Sequence, residues 1–148
     1  MKALIATDGT PGALEAAHQS LALLHPGLEI QIVSVVPPLE DPMETAGGFE
    51  GSLLTEDEAQ HDYDDAKSAA THAVDATKAV VHPTATTEIV EGSDPGRTIC
   101  DLAEQRQVDV LVVGASTKGW FARLLNGSVM EYAAHHAPCA VLIVRHHD

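Results

Sequence analysis

The sequence predicts a three-layer α/β/α domain built on a five-stranded parallel sheet, and three observations carry that expectation. Five short apolar runs alternate with four stretches of helical character within 148 residues. Such alternation is the mark of parallel strands joined by right-handed crossover helices on both faces of one sheet. The helical stretches open on capping signals, which separates them from the strands. One run, VDVLVV from Val108 to Val113, is apolar enough to be covered on both faces, as strands of such sheets are.

The first strand is Ala3 to Thr7. Thr10 followed by Pro11 is an N-cap with proline at the first helical position, and Leu14, Ala17, Leu21 and Leu24 form the apolar stripe of the first helix. Ile30 to Val36 is the second strand. Pro37 to Leu54, with its prolines and Gly47-Gly48, is the one long loop, of a length usual for lids and excursions. Thr55 with Glu58 is a capping box opening a long helix to about Val80. Thr84 to Val90 alternates threonine with apolar residues and fits a strand near an edge. Asp94 with Pro95 repeats the cap-and-proline signal, and Ile99, Leu102 and Ala103 face inward. After Val108 to Val113, Ser128 with Glu131 is a capping box for the last helix, and Ala140 to Val144 is the fifth strand. No internal repeat is visible, and residues 1–148 are expected to form a single domain.

Composition narrows the function classes. Hydrophobic residues make up 45% but aromatics only 3%, so the core must be built from Val, Leu, Ile and Ala. No apolar run approaches the roughly 20 residues that span a bilayer, and the N-terminus has no secretory pattern. No membrane association and a cytoplasmic location are expected. The net charge of −14, from 22 acids against 8 bases, argues against nucleic acid, which needs a basic surface. Ten of the acids lie between Glu40 and Asp65, where they form a solvated face or an acidic docking surface. Cys100 and Cys139 give no disulfide framework. Nine histidines give no metal set: His135 and His136 are adjacent, pointing about 100° apart on a helix, and His146 and His147 end the chain.

In an open doubly wound sheet, ligands bind at the carboxyl ends of the strands where strand order reverses. Five strands commonly run 2-1-3-4-5 or 3-2-1-4-5. The second order puts Asp8-Gly9-Thr10 beside the segment that starts at Gly114. That segment, GASTKGWFARLLNGS, is bounded by Gly114 and Gly127-Ser128 and holds Lys118 and Arg123, two of only eight bases. Glycine allows close approach of main chain to phosphate, and a helix N-terminus supplies free N–H groups and partial positive charge. The same features would also serve a plain turn and a helix cap. Asp8 likewise has two readings: a ligand for a ribose hydroxyl, an adenine amino group or Mg2+, or an Asx-type cap. Val35 is either pocket wall or plain core. No nucleophile elbow, Walker A motif or G-x-G-x-x-G follows the strands.

The stretch VDVLVVGASTKGWFARLLNGSVMEYAAHHAPCAVLIVR, from Val108 to Arg145, resembles the C-terminal signature of the universal stress protein family. MKALIATDGTPGALEAA and EGSDPGRTICDLAEQRQVDVLVVG resemble its other two landmarks. The resemblance implies the 3-2-1-4-5 sheet, Rossmann-like and of the adenine nucleotide alpha hydrolase type. It also implies binding of ATP, AMP or ADP, with or without Mg2+. Asp8 and Val35 match positions that hold adenosine, and the main chain of Gly114, Gly127, Ser128 and Val129 matches the phosphate cradle. The ATP-binding branch has a second glycine where this chain has Thr117, beside Lys118. A left-handed backbone at Thr117 would cost about 1–2 kcal/mol, roughly tenfold in affinity; an ordinary one would aim its hydroxyl at a phosphate oxygen. A homodimer through Ala140 to Val144 is also implied. Three functions remain open: a nucleotide-binding signalling or regulatory dimer, a non-nucleotide interaction module, and a slow ATPase or autophosphorylating protein.

Overall fold

The computed structural model describes residues 1–39, 55–115 and 129–145. Its strands are β1 (Lys2–Ala6), β2 (Glu29–Val36), β3 (Thr86–Glu91), β4 (Val110–Ala115) and β5 (Ala140–Arg145). Its helices are α1 (Pro11–Ser20), α2 (Glu56–Val81), α3 (Pro95–Gln105) and α4 (Val129–His136). The sheet order is β3-β2-β1-β4-β5, and every pairing is parallel, with Ala3 beside Ile30 on one side and Val110 on the other. This is the second of the two orders open to the sequence.

Local chemistry explains where the helices begin. Thr10 caps α1 and accepts from the Ala13 N–H at 3.3 Å. Asp94 caps α3 and accepts from the Arg97 N–H at 3.2 Å. At α2 the box closes in both directions: the Glu58 N–H donates to the Thr55 hydroxyl (3.2 Å), and the Thr55 N–H donates to Glu58 Oε2 (2.8 Å). Those bonds to Thr55 hold the Glu58 carboxyl below its usual range. Glu56, Asp57 and Glu58 all sit in the first turn of α2, where acids complement the helix dipole. The exposed acids of this helix therefore have a local role as well as a solvated one.

The two sheet faces are covered by different helix pairs. On one, α1 lies over β4 and β5 and α2 over β2 and β3; on the other, α3 lies over β2 and α4 over β4 and β5. Strand alternation sorts the core accordingly. Ile5, Ile32, Val112 and Val144 pack with Ala16, Ala17 and Val74, whereas Leu4, Val33, Leu111 and Val113 pack with Ile99, Ala103 and Ala133. A fully buried Ile or Leu stabilises the fold by about 1.5–3 kcal/mol.

The first helix differs from the expected one. It ends at Ser20, so Leu21 and Leu24 fall in the following turn, and its buried face is Ala13, Ala16, Ala17 and Ser20. Small residues win because α1 lies close on β4: a Cβ on Gly114 would come within 3.3 Å of Ala16 Cβ. At the opposite side, Arg106 ties β2 to β3 by donating to Gln31 Oε1 (2.9 Å) and to Glu88 Oε2. No helix among the described residues is long and apolar enough to cross a membrane.

Cys100 is buried in α3 and Cys139 is half-buried just before β5, both as free thiols. Burial, then the nearby Asp101 carboxylate, pushes the Cys100 thiol up to about 11 from 9.0. The unfolded chain loses this proton near the ordinary value and the folded chain keeps it to about 11. Between those values the folded state binds more protons, so stability falls as pH rises and is intact below them. Urea unfolding should show a declining midpoint across that window, and Cys100→Ala should flatten the decline. Equal slopes in the two proteins would contradict it.

Candidate functional site

The chain winds outward from the centre of the sheet, β1 to β2 to β3 on one side and β4 to β5 on the other. The crevice where the two halves diverge lies at the carboxyl ends of β1 and β4. The Thr7–Thr10 turn leaves β1 there. The Thr7 N–H donates to the Val33 carbonyl (3.0 Å), extending the sheet by one residue before the chain turns.

Asp8 uses its two oxygens differently. Oδ1 accepts from the Thr10 N–H (3.0 Å) and the Thr10 hydroxyl (2.6 Å), which is the Asx-turn reading. Oδ2 is buried without a hydrogen-bond partner among the described residues and belongs to a residue lining a cleft between the ends of β1 and β2 and the helix α2. The Asx turn thus occupies one carboxylate oxygen and leaves the other uncommitted. Such an atom is costly, since a buried acceptor left unpaired loses about 1–3 kcal/mol of solvation.

The cleft has a polar end at Asp8, a wall of Ser34, Val35, Val36 and Pro37, and a floor of Ala66, Ala69 and Ala70 from α2. These walls enclose about 70 Å³, a fraction of the roughly 300 Å³ at which ligand pockets begin. Val35 is both of the things expected of it: it lines the cleft, while its side chain belongs to the core beneath α3 and α4. Since Ser34 and Val36 point to the opposite face, Val35 meets the cleft through its main chain.

Gly9 has φ +74°, a backbone that favours glycine. A Cβ there would meet Ala73 Cβ at 2.8 Å and Ala73 Cα at 2.9 Å. The turn is therefore pressed directly against α2. The contribution of α2 was missed by the sequence reading. Its signal is Ala66, Ala69, Ala70 and Ala73 at helical spacing, a pattern that also describes ordinary core.

Gly114 lies within β4 and is absent from the positive-φ glycines, Gly9 and Gly27, and its missing side chain makes room for α1. Val129 is the first described residue of α4, and its side chain lies in the core. Thr117, Lys118, Gly127 and Ser128 lie outside the described residues, as does Arg123. Among the described residues no three His, Cys, Asp or Glu side chains converge as a metal set.

A doubly wound α/β domain with a carboxylate at its switch point belongs to a class of folds in which that point is where ligands, when bound, are placed. The comparisons narrow that class. The family model described as "Universal stress protein family" matches residues 1–145. A universal stress protein of Methanocaldococcus jannaschii is 31% identical over 148 residues, covering 97% of this chain and 81% of that protein. The chain belongs to the universal stress protein family.

Two solved structures share the fold. A universal stress protein in complex with cAMP superposes with TM-score 0.61 at 23% identity, covering 98% of this chain and 96% of that one. The universal stress protein from Archaeoglobus fulgidus in complex with dAMP gives TM-score 0.56 at 15% identity, covering 97% and 96%.

Proposed function

We propose that this protein is a cytoplasmic, dimeric stress-response regulator that binds an adenine nucleotide, ATP or AMP, at the carboxyl ends of β1 and β4. The observation that carries the reading is Asp8, which helps to line the cleft and whose Oδ2 is a buried acceptor with no partner among the described residues. An adenine amino group or a ribose hydroxyl supplies the missing donor. The alanines of α2 leave a flat, apolar surface on which a base can lie, and the small enclosed volume means that the rest of the nucleotide extends toward the end of β4. There the main chain of Val129, the first described residue of α4, and Thr117, Lys118, Gly127 and Ser128 of the sequence would meet the phosphates. Asp8 is the one acid among the described residues lining the cleft, so among them Mg2+ would find a single carboxylate and be held mainly by the phosphates. The adenine nucleotides held by two fold neighbours support the same ligand class.

Dimerisation through β5 rests on its place at the sheet edge, with Ile143 36% exposed. An unpaired apolar edge is a liability that a second copy removes. In this reading binding is the chemistry, and its output is a change of conformation or partner.

Purified protein should release an adenine nucleotide on denaturation, or gain melting temperature in millimolar ATP or AMP. At ligand a hundredfold above Kd the gain is about 2.7 kcal/mol, roughly 5–10 °C for a domain of this size. With one Trp and two Tyr, the protein absorbs weakly enough for bound adenine to show in its ultraviolet spectrum. No released nucleotide and no shift with either ligand would end the proposal.

A further inference from the structure

Two threonine hydroxyls meet in the core where no solvent reaches. Thr7, at the end of β1, and Thr77, in the last two turns of α2, are both 0% exposed, and their Oγ1 atoms are 2.8 Å apart. Thr77 Oγ1 also lies 2.8 Å from the Ala73 carbonyl, which can only accept. The Thr77 proton therefore goes to Ala73, and the Thr7 hydroxyl supplies the proton of the shared bond. Thr7 Oγ1 in turn accepts from the Gly9 N–H (3.1 Å). The result is a continuous chain from the Gly9 amide through Thr7 and Thr77 to the α2 backbone, each hydroxyl giving one proton and accepting one.

Asp8 lies between the two residues this chain grips. Thr7 is held through the Thr77 hydroxyl, and Gly9 is held through Thr7 and by direct contact with Ala73. Thr10 fixes the carboxylate itself. Thr77 is not among the residues lining the cleft, yet its hydroxyl is bonded to the residue that precedes Asp8.

Resting on the nucleotide-binding reading, we propose that Thr77 is a positioning residue for that site, acting through Thr7 and Gly9 to hold the Asp8 carboxylate in place at the end of the cleft. Thr77→Val keeps the volume and removes the relay, leaving the Thr7 proton without its acceptor in the core. The affinity for ATP or AMP should fall about three- to tenfold, while Thr77→Ser, which keeps the hydroxyl, should stay within about twofold of wild type.

The control is Val74→Ala, a cavity on the same helix in the same core, which lowers stability without touching the relay. Titration well below the melting temperature of all three variants should show the affinity loss in Thr77→Val alone. Equal affinity in Thr77→Val and wild type, or an equal loss in Val74→Ala, would overturn the proposal.

Amide hydrogen exchange in ligand-free protein gives a readout that needs no nucleotide. Gly9 should exchange at least roughly fivefold faster in Thr77→Val than in wild type or Thr77→Ser, since its hydrogen-bond acceptor is no longer fixed. Unchanged Gly9 exchange would overturn the positioning role whatever the ligand. Failure of wild type to bind either nucleotide, with Gly9 exchange responding as stated, would instead overturn the nucleotide reading and leave Thr77 as an organiser of the turn.

Discussion

Asp8→Asn is expected to lower adenine-nucleotide affinity by roughly 10–100-fold, the range set by losing a hydrogen bond to a charged group. The substitution is chosen because Asn can keep the Oδ1 acceptor that Thr10 uses, so the turn and the α1 cap persist. What changes is Oδ2, an acceptor replaced by an NH2 donor facing the donors of a base or ribose. The ligand-free protein should melt at the wild-type temperature or above it, because the buried carboxylate oxygen without a partner costs desolvation that the amide reduces. Calorimetric titration with ATP and AMP, beside a thermal melt, measures both. Wild-type affinity in Asp8→Asn would show that Oδ2 makes no ligand contact.

Gly9→Ala is expected to produce the largest stability loss, about 3 kcal/mol. Two causes add: a left-handed backbone costs about 1–2 kcal/mol for a residue with Cβ, and overpacking costs about 1–3 kcal/mol. The contact in question is with the Ala73 Cβ and Cα at 2.8 and 2.9 Å, and a helix backbone cannot rotate aside as a flexible side chain can. For a domain of this length the melting temperature should drop by roughly 10 °C. Ala73→Gly in the Gly9→Ala background should return part of the packing component and none of the backbone component, a coupling that a double-mutant cycle isolates. A melt indistinguishable from wild type would mean that α2 does not press on the turn.

The caps were legible in the sequence because they are local. Thr10-Pro11, Thr55 with Glu58, and Asp94-Pro95 each place a side-chain oxygen within three residues of the amide it serves, so spacing alone specifies them. Strand positions were legible to within a residue or two for a related reason: apolar runs such as Leu111 to Val113 are buried on both faces. The apolar stripe of α1 was not. Its leucines at 21 and 24 lie past the helix, and its true inner face is alanine and serine, because the approach of α1 to β4 is fixed by Gly114 on a strand about a hundred residues away.

The site divides the same way. Asp8 stood out as a carboxylate at a strand end, but its split use, one oxygen capping and one unpaired, depends on where α2 comes to lie. Ala66, Ala69, Ala70, Ala73 and Thr77 look like any buried helix face in one dimension. Only the fold makes three of them a floor, one a backstop and one a relay. Thr117, Lys118, Gly127 and Ser128 lie outside the described residues and remain part of the proposal.

The parallel pairing of β1 with β4, Ala3 beside Val110, has a consequence for how the protein comes into being. Emerging from the ribosome, β1 can pair with β2 and α2 can cover them, but one side of β1 stays open until Val110 has been made. Leu4 and Ile5, 0% and 1% exposed in the finished sheet, then lie along an unfilled seam, the kind of transient edge from which aggregates grow. Closing it demands contacts of long sequence separation, which slows folding. The cleft beside Asp8 is lined by residues between 8 and 70, so it can form before closure, whereas the proposed phosphate end at the carboxyl end of β4 is added only when the two halves of the chain meet. A nucleotide that bound there would reward closure, and nascent-chain folding in ATP-rich and ATP-depleted lysates becomes a place to look for its effect.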